Sequence, residues 1–310
     1  MIDGNEHTVV REAFDKAEEY LKPTQIAVTD PVSGISVPAI LSHRGVEPIR
    51  EEVFAEHRLA PKRKSDHASM RDLDSLIAYT NRFKDEGSAL FANDDRGSPS
   101  ITAILDFHPQ GEPHQSGRFG DHRASFAFPL SDEWKVWGNG DDKKMTMIDF
   151  ASFLEDHIID VLHPDAITID ESDEETARFV SMMGGKAAMA DPARLLEIAS
   201  NLQVNENSVV AQANKLASGE GAIEFRNEHE THSSGQKIVV PKMFAIAIPV
   251  FKGEGAYRVF ARLRYRKTNA GIVFWYELWR TDRVFDHAFR EAADRAASET
   301  ELPLLIGTDR

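Results

Sequence analysis

An α+β fold, with mixed, largely antiparallel sheets in two β-rich regions around a helical middle, is the class this sequence predicts. Three observations carry that expectation. Apolar stripes at helical spacing occur near the N-terminus, in the middle and near the C-terminus. Runs rich in Val, Ile, Phe and Tyr that alternate at period two gather at 88–128 and 209–279. Short turn-forming segments join neighbouring runs, as antiparallel pairing requires.

Val9, Val10, Ala13, Phe14, Ala17, Tyr20 and Leu21 fall on one helical face, and Pro23 closes that helix. Strands at 25–29 and 35–41 follow, joined by Asp30-Pro31-Val32-Ser33-Gly34, whose residue types favour a turn. The polar stretch 45–66 gives no clear pattern and ends in Lys62-Arg63-Lys64. Ser69, with Asp72 three residues on, has the form of a helix cap before Leu73, Leu76, Ile77 and Thr80. Gly87 is the expected stop.

Strands are expected at 88–92, 100–107 and 122–128, followed by a Gly/Asp-rich loop at 138–142. A helix over 147–162 buries Met147, Phe150, Ala151, Leu154, Ile158 and Val161, with Thr146 as its cap. Further helices cover 171–183 and 192–201, parted by Gly184-Gly185. The pattern then turns to strands at 209–214, 222–227, 237–248, 257–267 and 271–279, the last two read as a hairpin. An alanine-rich helix at 283–297 and a short strand at 302–306 end the chain. The 310 residues read as one unit, with a subdivision into an N-terminal α+β region 1–165 and a helical plus β-rich region 166–310.

Composition narrows the function classes. With 51 acidic and 36 basic residues the net charge is −15, which works against non-specific attraction to DNA and anionic membranes. There is no cysteine, so disulfides, thiolate metal sites and thiol catalysis are excluded. No apolar run reaches the length of a membrane span, and the first residues lack the pattern of a signal peptide, so a cytoplasmic location is expected. No phosphate-binding glycine loop, dinucleotide fingerprint or nucleophile elbow occurs, and no cofactor is expected. His229-Glu230-Thr231-His232 spaces its histidines three apart where the zinc-protease helix needs four, and reads as a polar loop.

Two constellations remain. The loop between the strands at 100–107 and 122–128 holds Asp106, His108, His114, Asp121 and His122, residue types that ligate zinc, iron or manganese and transfer protons. Pairing of those strands brings Asp106 and His108 toward His122. Polar residues capping a hairpin explain the same loop more simply. The second constellation is the strand at 257–267. Alternation puts Arg258, Phe260, Arg262, Arg264 and Arg266 on one face and Val259, Ala261, Leu263 and Tyr265 on the other. A row of guanidiniums with an aromatic among them can hold phosphates and stack a base, and it can equally pair with carboxylates on a neighbouring strand. Trp134, Trp137, Trp275 and Trp279 are expected as packing anchors.

Five segments in chain order carry a resemblance: SLIAYTNRF (75–83), AILDFH (103–108), HRASFAFPLSDEWKVW (122–137), IDFASFLEDH (148–157) and VPKMFAIAIPVFKGEGAYRVFARLRYR (240–266). Together they resemble the YfdQ-like family of phage and prophage proteins, a domain of unknown function. The resemblance implies an early, non-structural phage product, carried beside genes of DNA recombination or replication and acting in the host cytoplasm. It brings no site residues with it, although Asp106, His108, His122 and Glu155 lie inside matching segments.

These readings lead to a non-catalytic, self-associating protein that binds DNA, a nucleotide or a host factor through Arg258, Phe260, Arg262, Arg264 and Arg266. A metal-dependent hydrolase centred on Asp106, His108 and His122 is one alternative, and a shell-like assembly subunit is the other.

Overall fold

The computed structural model describes residues 4–31, 34–50, 52–55, 57–109, 117–170, 173–204, 209–215, 221–226, 237–269 and 271–309. His114 and His229-Glu230-Thr231-His232 lie outside the described residues. An N-terminal arm comprises helix α1 (Gly4–Leu21), the antiparallel meander β1 (Thr24–Thr29), β2 (Ser36–Ser42) and β3 (Gly45–Pro48), and the short helix α2 (Glu52–Ala55).

The first buried layer runs β4 (His67–Met70), α3 (Leu73–Phe83), β5 (Ala89–Asn93), β6 (Ser100–Ile104) and β7 (Arg123–Ala127). Helix α4 (Asp132–Gly140), the two-residue strand β8 (Met145–Thr146), α5 (Met147–Asp156), α6 (Glu174–Met182) and α7 (Pro192–Val204) form the middle. Strands β9 (Val209–Lys215), β10 (Gly221–Arg226), β11 (Lys237–Val240), β12 (Met243–Pro249), β13 (Ala256–Thr268) and β14 (Gly271–Leu278) follow. Helix α8 (Thr281–Thr300) and β15 (Leu304–Ile306) close the chain.

Among the described residues these strands form four sheets, ordered β1-β2-β3, β11-β10-β9, β12-β13-β14-β8 and β15-β5-β6-β7-β4. Pairing is antiparallel except at the two edges of the five-stranded sheet, where β15 joins β5 and β4 joins β7 in parallel. The expected α+β class, with largely antiparallel sheets, is therefore what the chain adopts. The layers are interleaved along the sequence. Strand β8 and helix α5 complete the sheet of β12–β14, while α8 and β15 complete the sheet of β5–β7.

The sheet β12-β13-β14-β8 is covered on both faces. On one, Phe244, Ile246, Val259, Ala261, Leu263 and Phe274 meet Phe150, Ala151 and Leu154 of α5 and Leu195, Ile198 and Leu202 of α7. On the other, Met243, Ala245 and Phe260 meet Ile167, Phe179, Val180 and Met189. The five-stranded sheet packs Leu90, Ile101, Ala103, Ala124 and Phe126 against α3 and against Phe285, Phe289 and Ala293 of α8. The small face of Ala288, Ala292, Ala293 and Ala296 lets α8 approach its neighbours closely. No helix among the described residues is long and apolar enough to cross a membrane.

Several local expectations are revised. Asp72, not Ser69, caps α3: its carboxylate accepts the Ser75 amide at 2.7 Å, while Ser69 pairs into β4. That helix ends at Phe83, before Gly87, because the capping residue Lys84 turns extended, φ −61° and ψ 152°, after its amide closes the last helical bond to the Thr80 carbonyl. Helix α5 keeps Thr146 as its cap but stops at Asp156 and not at 162. Beyond it, Trp137 Nε1 donates to Asp160 at 2.7 Å and Val161 bridges to Ile246, so tertiary bonds take the chain out of the helix. The expected strand at 237–248 is broken at Pro241, which has no amide for the ladder.

Helix α4 was hidden behind its glycines. Ser131 caps it, accepting the Trp134 amide at 2.9 Å and donating to the Pro249 carbonyl at 2.5 Å, which ties α4 to β12. Its last residue, Gly140, is a glycine for a steric reason: a Cβ there would overlap the Tyr276 hydroxyl. That hydroxyl, fully buried, donates to the Trp137 carbonyl at 2.7 Å. Gly140→Ala is expected to lower unfolding stability by about 3 kcal/mol, the upper end for overpacking a core. Ser131→Ala should cost about 1–2 kcal/mol through the lost cap and tether. Denaturant titration of the two variants checks both values and their order.

Candidate anion-binding cleft

The loop constellation and the arginine row are placed very differently. Strands β6 and β7 do pair, with Ile104 opposite Arg123. The Asp106 carboxylate then closes the loop by accepting the amides of Asp121 at 3.1 Å and His122 at 2.9 Å. His108 faces another way: its Nδ1 accepts the Arg118 amide at 3.1 Å and its ring packs on Phe107. His122 is buried, with Tyr79 Oη 3.1 Å from its Nε2 and the Phe83 ring edge-on at 5.3 Å. Among the described residues no group of three or more His, Asp or Glu side chains is placed to hold a metal ion. The geometry makes Asp106 a loop clamp and His122 a core histidine, so the structure does not assemble the Asp106/His108/His122 centre expected of a hydrolase.

The arginine row lies on one face of β13, and that face is not open along its length. Phe260 is buried beneath α6. Arg262 sits against the stacked pair Phe179 and Trp279, whose rings are 4.2 Å apart, with its guanidinium carbon 5.0 and 5.3 Å from the two ring centres. Glu277 on β14, directly opposite Arg262, lies 3.9 Å from it and 3.3 Å from Arg264. Cross-strand pairing thus takes up the middle of the row. Arg264 and Arg266 are exposed at its far end.

The near end opens into a cleft of about 290 Å³ between β13, the start of α6 and the start of α8. Arg258, Phe260 and Tyr257 of β13 line it, with Trp279, Arg280, Arg283 and His287 from the strand–helix junction and Asp173 and Thr176 from α6. Arg258 donates to the Thr168 carbonyl and lies 5.2 Å over the Phe260 ring. Arg280 and Arg283 share Glu175, at 3.1 and 2.6 Å. Asp173 is held ionised below its ordinary range by the side chain and amide of Thr176, which it caps. The Tyr257 hydroxyl donates to Glu291 at 2.7 Å, and burial together with that carboxylate raises its pKa. Three guanidiniums and three aromatic rings therefore converge on one opening.

Two features mark this corner. Arg280 holds a left-handed backbone, φ 50° and ψ 46°, a conformation that costs a residue with a Cβ on the order of 1 kcal/mol. Further, among the described residues the buried side-chain polar atoms without a hydrogen-bond partner are Thr80 Oγ1, Arg262 Nε, Trp279 Nε1 and Arg280 Nε. Trp279 and Arg280 line the cleft, and Arg262 packs on the Trp279 ring beside it. Arg280 Nε does lie 3.2 Å from Asp282, but as an ion pair outside hydrogen-bond angles. Buried donors are ordinarily satisfied, so such a cluster calls for an acceptor.

Arg258 and Phe260 were legible in the strand alternation; Trp279, Arg280 and Arg283 were not. Their signal was Trp279-Arg280-Thr281-Asp282-Arg283 at a strand end, where a helix start swings two arginines toward the strand's polar face.

Burial, reinforced by Lys64, pushes the His122 imidazole below its ordinary 6.5, against the opposing pull of Asp106 and Asp66. The folded chain therefore resists protonation that the unfolded chain accepts, and stability is lost as pH falls below 6.5 toward the folded value. His122→Gln should flatten this loss. Unfolding free energies of both proteins at about pH 7.5 and about pH 5.5 test it.

No curated protein and no solved structure matches the chain. A family model described as an uncharacterized conserved protein (DUF2303) matches residues 42–309, a span that includes the four- and five-stranded sheets and every residue of the cleft. The chain belongs to the DUF2303 family of uncharacterized conserved proteins.

Proposed function

We propose that this protein is a non-catalytic, self-associating phage or prophage early-region product that acts in the host cytoplasm by binding. Its ligand carries phosphate and a nucleobase, as a free nucleotide or as the end of a nucleic-acid strand, and enters the cleft at Arg258 and Arg283. The observation that carries this reading is one opening lined by Arg258, Arg280, Arg283 and aromatic rings, with two buried donors that lack a hydrogen bond, Trp279 Nε1 and Arg280 Nε, on residues of its wall.

The chemistry of the parts supports it. Guanidiniums bind phosphate oxygens through two parallel N–H bonds, and aromatic faces stack any base. Glu175, shared by Arg280 and Arg283, draws the two guanidiniums together, and a bound anion has to compete with that carboxylate for them. In a chain of net charge −15 such a local cation cluster confines anion binding to one place. The resemblance to YfdQ-like phage proteins, which stand beside recombination and replication genes, favours the same ligand class.

The test is a fluorescence titration with a mononucleotide and with a short single-stranded oligonucleotide, at low and moderate salt. Arg258→Glu with Arg283→Glu should weaken binding at least tenfold and flatten the salt dependence. Trp279→Ala should cost about 1–3 kcal/mol of affinity, the worth of one stacked base, with the melting temperature recorded as a control on packing. Preference between the two ligands tells nucleotide from strand. Unchanged affinity in the double charge reversal would remove the cleft from the reading.

A further inference from the structure

The N-terminal arm poses a separate problem. Helix α1 spans 18 residues, yet among the described residues its apolar stripe stays exposed: Phe14 is 72% exposed and Tyr20 86%, with Val9, Val10 and Leu21 exposed beside them. An isolated helix of this length is marginal in water, and most helical stability comes from packing an apolar face. The sheet β1-β2-β3 beside it also exposes Val28, Val37, Ile40, Leu41 and Val46. Apolar surface on this scale marks an interaction site.

The same arm carries a groove to match. A cavity of about 1080 Å³ opens beside α2, with Ile35, Leu59 and Phe119 among its apolar walls. Phe119 is 73% exposed and Leu59 entirely so. Among the described residues its charged lining is Arg58, Lys62, Arg63 and Glu52. Arg63 lies over the Phe119 ring at 3.5 Å and pairs with Asp121 at 2.6 Å, which fixes that wall to the loop before β7. Over Val9–Leu21, by contrast, α1 carries Glu12, Asp15, Glu18 and Glu19 against Arg11 and Lys16. An acidic amphipathic helix and an apolar groove with a basic rim are complementary in both polarity and charge.

We propose that α1 of one copy docks in the groove of a second copy, with Phe14 and Tyr20 against Leu59 and Phe119 and the acidic face toward Arg58 and Lys62. This names the surface behind the self-association in the proposed function, and it is independent of the cleft. Phe14 and Tyr20 are exposed and do not line the cavity, so the helix does not fill the groove of its own chain. The area suits the task. Phe14 and Tyr20 alone can bury about 300–500 Å². One arm contact counted on both sides is then about 600–1,000 Å², and two reciprocal contacts pass the roughly 1,000 Å² of a specific interface. Each copy offers one helix and one groove, so two copies can satisfy each other reciprocally.

The absence of cysteine gives a clean test. Chains carrying Phe14→Cys and chains carrying Leu59→Cys are mixed in equal amounts and mildly oxidised. A two-chain cross-link is expected in the mixture and not in either variant alone. No cross-link in the mixture, or equal cross-linking in each variant alone, would contradict the proposal. In parallel, light scattering on Phe14→Glu should report a single-chain mass where the parent protein reports an assembly, with an unchanged melting temperature. An assembly that survives Phe14→Glu overturns arm docking and leaves self-association standing. A parent protein of single-chain mass overturns both.

Discussion

Strand β13 has to satisfy two different surroundings at once, and the rest of the molecule follows from how it does so. Val259, Ala261 and Leu263 point into the core built by α5 and α7, while Phe260 and the arginines point toward α6. A strand buried on both faces ordinarily reads as continuously apolar. Here one face is half cationic, and burying it demands partners for each guanidinium. Glu277 on β14, the Phe179–Trp279 stack and the Thr168 carbonyl are those partners. Each comes from an element whose position is thereby fixed: β14 by register, α6 by stacking, and the segment before α6 by a hydrogen bond.

The cleft is what remains where that satisfaction is incomplete. At the start of β13 the neighbours are the beginnings of two helices, α6 and α8, and their first turns bring Asp173, Glu175, Arg280 and Arg283 together. The left-handed Arg280 helps turn the chain from β14 into α8 within two residues, so Trp279 stays with the sheet and Arg283 with the helix. A fold stabilised by the apolar contacts of α8 on the five-stranded sheet can carry this local strain. The same helix couples the two buried layers, because Val284 packs against both clusters.

Element type was mostly legible because periodicity was strong. The apolar stripe of α5, the alternation along β13 and the antiparallel pairing of β1 with β2 each appeared as expected. What was not legible depended on contacts distant in sequence. Helix α4 ends in Gly138-Asn139-Gly140, which reads as loop until Tyr276, brought from far along the chain, is seen to need the space of a missing Cβ. The early end of α5 rests on Trp137 and Ile246. For the site, alternation placed Arg258 and Phe260 correctly on one face but said nothing of what covers that face. Pairing of Arg264 with Glu277 needed the register of β13 on β14, and convergence with Arg280 and Arg283 needed the packing of α8. Asp106 and His122 show the opposite case. Their residue types suggested chemistry, whereas backbone amides and burial explain them.

An opening walled by arginines and aromatic rings, with buried donors that lack hydrogen bonds among them, is an arrangement that a bound anion would complete. Native mass spectrometry of the protein gently purified from its natural host reads that directly, together with subunit number. The account predicts a retained mass corresponding to a nucleotide or short oligonucleotide, lost when Arg258 and Arg283 are both replaced by Glu. Bare chains in the parent protein, or the same adduct in both, would contradict it.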